Sequence, residues 1–471
     1  MKANIFFGSV EEVRDGEQLI NKYTGEVVSI FPVCTVEDAN KALQIAKLGA
    51  QNQQKSTLSQ RIKWLEDVAS KLEKNIEDFA KTITDEVGKP ITFSMVEVSR
   101  AVETIRLSAM AMANTNGETI NTDIMPSGKK TTAFYKRVPV GVCVCITPFN
   151  FPLNLVIHKI APALVSGNSV VLKPTPEAPL TAYKIAKLFI ESEYATKDAL
   201  SLIYGDADVG NALVQSEIPR VISFTGSVQV GNIITKNAGI KKIGLELGGN
   251  AATFIDKSAD LKLAASRCAY GAFVNSGQVC ISLQRIYVHG DVYDEFANLM
   301  KKETQKLKVG DPYRHETFMG PLINEESVKR ALGWVASAME EGARLICGGF
   351  ASHVLFYPTV LADVTDDMQI VCEEVFAPIV SLVKVSNYEE AVAKMNDSPY
   401  GLQFSIFSND MSLMNRFIDD ADCGGVVFND IPTLRFDVQP YGGVKFSGIG
   451  REGPKFAIEE FTEIKSVVIC S

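Results

Sequence analysis

The chain is poor in the residues that most metal and acid–base sites use. Its 471 residues include only four histidines (His158, His289, His315 and His353), scattered and with no His-x-x-x-His pair. A metal site, or a histidine acting as general base, therefore has little support. Nine cysteines form an odd set without a CxxC, and Cys143-Val144-Cys145 is an alternating pair inside an apolar run. That pattern argues for reduced thiols rather than a disulfide framework or a zinc site. No segment offers about 18 uninterrupted apolar residues, and no run of Lys or Arg offsets the net charge of −9. Neither a membrane nor nucleic acid is an expected partner. Met1 to Gly8 lacks the charged start, apolar stretch and small-residue cleavage site of a secretory signal, so the cytoplasm is the expected compartment.

What is present is an ordinary globular composition, 46% hydrophobic and 22% charged, on a chain too long for one core. From about Thr35 to Asn114 the apolar spacing is helical, and Thr57-Leu58-Ser59-Gln60 has the form of a capping box. A strand is expected at Thr131 to Val138. Strand-like runs at Val142 to Ile146, Ser169 to Leu172, Leu200 to Tyr204, Val221 to Phe224 and Ile243 to Leu247 then alternate with helical segments. Such alternation predicts a parallel sheet covered on both faces, with ligands beyond the carboxyl ends of its strands. A second α/β segment follows Gly249. The tail, Ile464 to Cys470, reads as a lone strand whose partner edge a neighbouring subunit could supply.

Four stretches carry chemistry. Lys242 to Ser282 places a carboxylate, Glu246, and a thiol, Cys280, at its two ends, with Gly248-Gly249 between them. In Phe224 to Gly231, Gly226 permits a turn and Ser227 opens a helix whose free N–H groups suit a phosphate, although a capped helix is the commoner use of Gly-Ser. Lys173-Pro174 sets a lysine at a strand end, or simply ends the strand. In Thr147-Pro148-Phe149-Asn150-Phe151-Pro152 an amide is held between aromatics and prolines; Asn150 either caps the following helix or donates to a developing oxyanion.

Together with Glu373 to Pro378 and Pro440 to Gly448, these stretches occur in the order found in the aldehyde dehydrogenase superfamily, which the whole chain resembles. The resemblance implies an α/β fold: a Rossmann-like cofactor domain (1–117 and 140–247), a second α/β catalytic domain (248–440) and a small β element for oligomerisation (118–139 and 455–471), in a homodimer or homotetramer. It implies Cys280 as nucleophile, Glu246 as the base that hydrolyses the thioester, and Asn150 with the Cys280 N–H as oxyanion donors. It implies NAD or NADP, held by Thr147, Lys173, Gly226, Ser227, Leu247, Glu374 and Phe376. Because relatives that pass the acyl group to coenzyme A usually lack this glutamate, Glu246 implies a free acid as product.

Arg435, before Asp437, and Arg100 on its helix are candidates for the substrate, against the alternatives that Arg435 pairs with a carboxylate and Arg100 lies on an exposed face. The surroundings of Arg435 are similar to the branch containing lactaldehyde, non-phosphorylating glyceraldehyde-3-phosphate and phosphonoacetaldehyde dehydrogenases. A small hydroxylated aldehyde such as lactaldehyde is the expected substrate, with an anionic aldehyde as the alternative. A catalytically silent binding protein, the reading from another class, has no need to keep both Glu246 and Cys280.

Ala377 replaces a commoner glycine, a change with no assigned function. Pro176 stands where NAD-preferring relatives often carry a glutamate for the ribose hydroxyl, and Glu177 comes one position late. Without a carboxylate at that place a 2′-phosphate meets less repulsion, so NADP should serve at least comparably to NAD. Measuring kcat/KM with both tests this; an NAD preference beyond about a hundredfold, roughly 2.7 kcal/mol, contradicts it.

Overall fold

Continuous apolar strands on either side of Gly248-Gly249 build two separate sheets in the computed structural model, which describes residues 1–470. The first sheet has eight strands. Its parallel centre runs Leu200–Leu202, Ser169–Lys173, Val142–Ile146, Val221–Thr225 and Lys242–Glu246 in spatial order. The chain starts in the middle at Val142–Ile146, winds outward through Ser169–Lys173 to Leu200–Leu202, then returns to Val221–Thr225 on the other side. That reversal opens a crevice between the carboxyl ends of Val142–Ile146 and Val221–Thr225, where doubly wound sheets bind ligands.

Register then fixes which residues share the rim. Ile146 lies level with Lys173 and Phe224, and Thr225 level with Glu246. Thr147, Lys173, Gly226 and Leu247 consequently emerge from the same side of the sheet.

The second sheet has seven strands, and Ala251–Ile255 lies between Leu283–His289 and Gln403–Phe407, parallel to both. Only the four residues Leu247 to Asn250 separate it from Glu246, so the carboxyl rim of one sheet faces the amino ends of central strands in the next. Four helices, Val36–Gln53, Leu58–Glu73, Ile76–Val87 and Ile91–Ala113, occupy the expected helical region. The complete capping box is at Thr35 and Asp38. Thr57 does cap its helix through the Gln60 N–H, but the Gln60 side chain donates to the Tyr194 carbonyl instead of reaching back.

Two differences from the sequence reading concern strands. Four short strands at Ile5–Phe7, Val10–Glu12, Glu17–Ile20 and Val27–Phe31 precede the helices; they are too short to show a clear alternation. The tail strand, Thr462–Ile469, is not alone. It pairs along its whole length with Thr132–Pro139 of the same chain, and Thr119–Asn121 completes a three-stranded antiparallel sheet. A partner more than 300 residues away leaves no local signature.

One backbone approach limits the crossing. A Cβ at Gly249 would lie 2.3 Å from the Cys280 carbonyl oxygen, closer than real contacts allow. Gly249→Ala should therefore push the two segments apart, costing about 1–3 kcal/mol. The check is a lowered thermal midpoint together with reduced turnover; unchanged values for both would contradict the constraint.

Candidate active site

The turn before Cys280 is unusual. Asn275, Ser276 and Gly277 lie consecutively at φ of 52°, 56° and 70°. Left-handed geometry at non-glycine residues costs roughly 1–2 kcal/mol each and persists only where neighbours hold it. Here the Asn275 amide donates to the Asn150 carbonyl (3.2 Å), the Ser276 hydroxyl to the Gly320 carbonyl (2.9 Å), and Gln278 Oε1 accepts from the Ile323 N–H (3.0 Å). The Asn150 amide donates to the Gln278 carbonyl at 2.9 Å, tying the first sheet's loop to the turn. An amide nitrogen carries two protons, so one N–H of Asn150 remains for another acceptor.

Two cavities meet at Cys280. One, of about 400 Å³, is lined by Phe149, Asn150, Gly226, Ser227, Glu246 and Leu247 of the first sheet's rim, with Glu374 and Phe376 across the cleft. The other, of about 140 Å³, is lined by Lys89, Phe93, Arg100, Phe151, Tyr270 and Thr433 among others. Cys280, Leu155, Arg435 and Tyr441 line both. Glu246 and Cys280, 34 residues apart in sequence, thus share one cavity.

The rim around the larger cavity fits a dinucleotide on three observations, the first at the cavity's lining and the other two on neighbouring strand ends outside it. Ser227 caps the helix Val228–Asn237, leaving that N-terminus at the rim. The buried Thr147 hydroxyl has no hydrogen-bonding partner. Lys173 is buried at the strand end, makes no ion pair among the described residues, and burial lowers its pKa. Phe376, at φ 46°, meets Phe149 edge to face at 6.0 Å across the cleft. Glu374 accepts from the Gly249 N–H at 3.1 Å, and burial raises its carboxyl to about 7. At the far end, Pro176 brings no carboxylate, and the Glu177 carboxylate is taken by Lys22 at 2.5 Å.

Burial also pushes the Cys280 thiol up, to about 12, although its hydrogen bond with Tyr441 works the other way. Glu246 is raised well above the carboxylate range by burial and then by the nearby charge of Glu452, and its Oε2 has no partner. Glu452 behaves oppositely. Burial raises it, but Lys159 and Arg435 outweigh that and hold it at about 2.

Arg435 takes the carboxylate-pairing alternative. Its guanidinium donates to Glu452 at 3.1 Å and stacks 3.7 Å over the Tyr441 ring, with Asp437 3.8 Å from Nε. Arg100 is not confined to an exposed face; it lines the smaller cavity and grips Asp437 through two hydrogen bonds of 2.9 and 2.7 Å. The sequence reading missed Lys159, Glu452 and Tyr441. Lys159 had a visible signal, a single charge in the apolar helix Asn154–Val165, every residue of which is buried. Tyr441 and Glu452 had none, since only folding pairs them.

Among the described residues no group of three or more His, Cys, Asp or Glu is placed to hold a metal ion, and no helix is long and apolar enough to cross a membrane. Two facing α/β sheets, with a thiol and a carboxylate lining one cavity in the cleft between them, are the architecture of an α/β oxidoreductase. Residues 10–467 match the aldehyde dehydrogenase family, and the chain belongs to it. It is 42% identical to a 3-sulfolactaldehyde dehydrogenase of Priestia aryabhattai over 98% of this chain and 96% of that protein. It is 39% identical to a lactaldehyde dehydrogenase of Methanococcus aeolicus, covering 95% and 96%. A glyceraldehyde-3-phosphate dehydrogenase from Methanocaldococcus jannaschii, solved with NADP, superposes with a TM-score of 0.93 at 38% identity, covering 97% of this chain and all of the other.

A raised pKa means that the neutral form of Glu246 persists to higher pH than for a free glutamic acid, near 4.3. Infrared difference spectra of the wild type against Glu246→Gln, taken across a pH series, should show the Glu246 carboxyl staying protonated to higher pH than a free glutamic acid. Ionisation at or below the free-acid range would contradict the assigned environment.

Proposed function

We propose that this aldehyde dehydrogenase oxidises a small 2-hydroxyaldehyde, lactaldehyde or a close analogue, to its carboxylic acid with NAD(P)+. The observation that carries the reading is the meeting of two cavities at Cys280: a larger one on the rim that carries the dinucleotide features, and one of about 140 Å³, a size that suits a small aldehyde. Relatives named for lactaldehyde and sulfolactaldehyde support the substrate class.

In this mechanism the Cys280 thiolate attacks the aldehyde carbon. The resulting oxyanion is held by the free N–H of Asn150 and the Cys280 backbone N–H. A bound nicotinamide would supply the acceptor for the hydride that the thiohemiacetal carbon loses as it becomes the Cys280 thioester. Thr147, Lys173, Gly226, Ser227, Leu247, Glu374 and Phe376 hold the dinucleotide along the rim. Ionised Glu246 then takes a proton from water, which attacks the thioester and releases the acid and the thiolate.

A second reading, an anionic aldehyde, is favoured by Arg100. The described hydrogen bonds engage only Nε and Nη2, on Asp437, and its side chain, 28% exposed, lines the smaller cavity. For assembly we propose a homodimer or homotetramer through the segments 118–139 and 455–471, which contain the strands of the three-stranded sheet, and a cytoplasmic location. The cofactor domain is assigned to 1–117 and 140–247 and the catalytic domain to 248–440.

Cys280→Ser should abolish oxidation nearly completely. Glu246→Gln should keep a single-turnover burst of reduced cofactor and lose most of its steady-state rate. Retained steady-state turnover in Glu246→Gln would remove it as the base. In a parallel panel, Arg100→Ala should lose activity only toward phosphonate, sulfonate or phosphate aldehydes if the second reading holds, and toward none if it does not.

A further inference from the structure

The sulfur of Cys280 has one hydrogen-bonding partner among the described residues, the hydroxyl of Tyr441, at 2.9 Å. Tyr441 is buried, and its position is fixed from three sides. Its backbone exchanges two hydrogen bonds with Glu452, the Tyr441 N–H to the Glu452 carbonyl at 3.0 Å and the reverse at 2.6 Å. The Arg435 guanidinium covers the ring face at 3.7 Å, and Arg435 is in turn held by Glu452, whose other oxygen takes Lys159 at 3.1 Å.

A buried phenol needs a hydrogen-bonding partner, and a neutral thiol is a weak one. A thiolate is a strong acceptor and cannot donate, so once Cys280 ionises only the Tyr441 O–H can make this bond. A guanidinium over the ring face withdraws electron density and makes the phenol a better donor.

We propose that Tyr441 is a catalytic residue that donates its O–H to the Cys280 thiolate and so sets how readily the nucleophile forms, with Arg435 polarising the phenol from behind. The thiol proton leaves to solvent and the phenol keeps its own, so Tyr441 is a donor and not a base. Burial and the neighbouring sulfur hold the phenol protonated well above its ordinary range, as that role requires.

The other groups facing the sulfur do not supply this stabilisation. Glu374 and Glu246 oppose a thiolate when ionised, and Arg435 favours it by its charge but makes no hydrogen bond to the sulfur. From the smaller cavity come Lys89 paired with Glu97, Arg100 paired with Asp437, and Tyr270.

This proposal rests on reading Cys280 as the nucleophile, and the test separates the two. Alkylation of Cys280 by iodoacetamide is followed against pH by peptide mass spectrometry in the full-length, cofactor-free protein. Tyr441→Phe keeps the ring under Arg435 and removes one oxygen. Its alkylation midpoint should rise by about one pH unit, equivalent to a roughly tenfold slower reaction at any pH below both midpoints. The pH profile of the reduced-cofactor burst should move by the same amount, whereas a purely structural loss would lower the burst at every pH without moving its midpoint. Should the phenylalanine variant fail to fold, 3-fluorotyrosine at position 441, a stronger donor of nearly the same shape, should lower the midpoint. An unmoved midpoint in either variant, with wild-type aldehyde oxidation intact, overturns the role of Tyr441 and leaves the nucleophile standing. Aldehyde oxidation that survives Cys280→Ser overturns the nucleophile itself.

Discussion

The site depends on how closely two backbone segments pass each other. Gly249 leaves the first sheet just where Cys280 approaches the second, and the space between them excludes even a methyl group. That approach lets a carboxylate on one sheet and a thiol beside the next line one cavity. The strained turn Asn275 to Gly277 is the other half of the same constraint. It brings Cys280 alongside Gly249, and its cost is offset by hydrogen bonds to the Asn150 loop and to the Gly320–Ile323 segment. Asn150 takes part in that bracing through one N–H of its amide, which leaves the other N–H outside it.

Electrostatics at the site divides into two zones. Around Glu452, buried charges are paired: Lys159 and Arg435 surround it, and Asp437 accepts from Arg100 and His158. Around Cys280 they are not. Glu246 keeps an oxygen without a partner, Glu374 meets one backbone N–H, and both sit high because burial is uncompensated. Paired charges are fixed in one ionisation state, whereas uncompensated ones can change state during a reaction. The paired zone therefore works as a rigid wall, and the unpaired groups are those free to move protons.

Much of this was legible in the chain. The alternation of apolar strands and helices defined the first sheet, and the reversal of its winding places Thr147 and Gly226 on either side of one crevice. Cys280 and Glu246 stood out because each lies in a glycine-marked stretch with no other purpose. What escaped depends on contacts that only folding creates. Tyr441 reads as part of a glycine-rich loop until its hydroxyl is seen against the sulfur, and the sequence leaves Arg435 between substrate and a carboxylate partner until Glu452 is found beside it. The tail was legible as a strand, but its pairing escaped for the same reason, the partner at Thr132–Pro139 being remote in sequence.

The two cavities touch only around Cys280, Leu155, Arg435 and Tyr441, and their remaining walls come from different stretches of chain. One is built largely from the first sheet's rim with Glu374 and Phe376, the other from the Lys89–Arg100 helix region with Tyr270 and Thr433. On the proposed reading, a change in the separate wall of the smaller cavity would bear on the aldehyde and leave the lining on the cofactor side intact. A change at any of the four shared side chains would bear on both cavities at once.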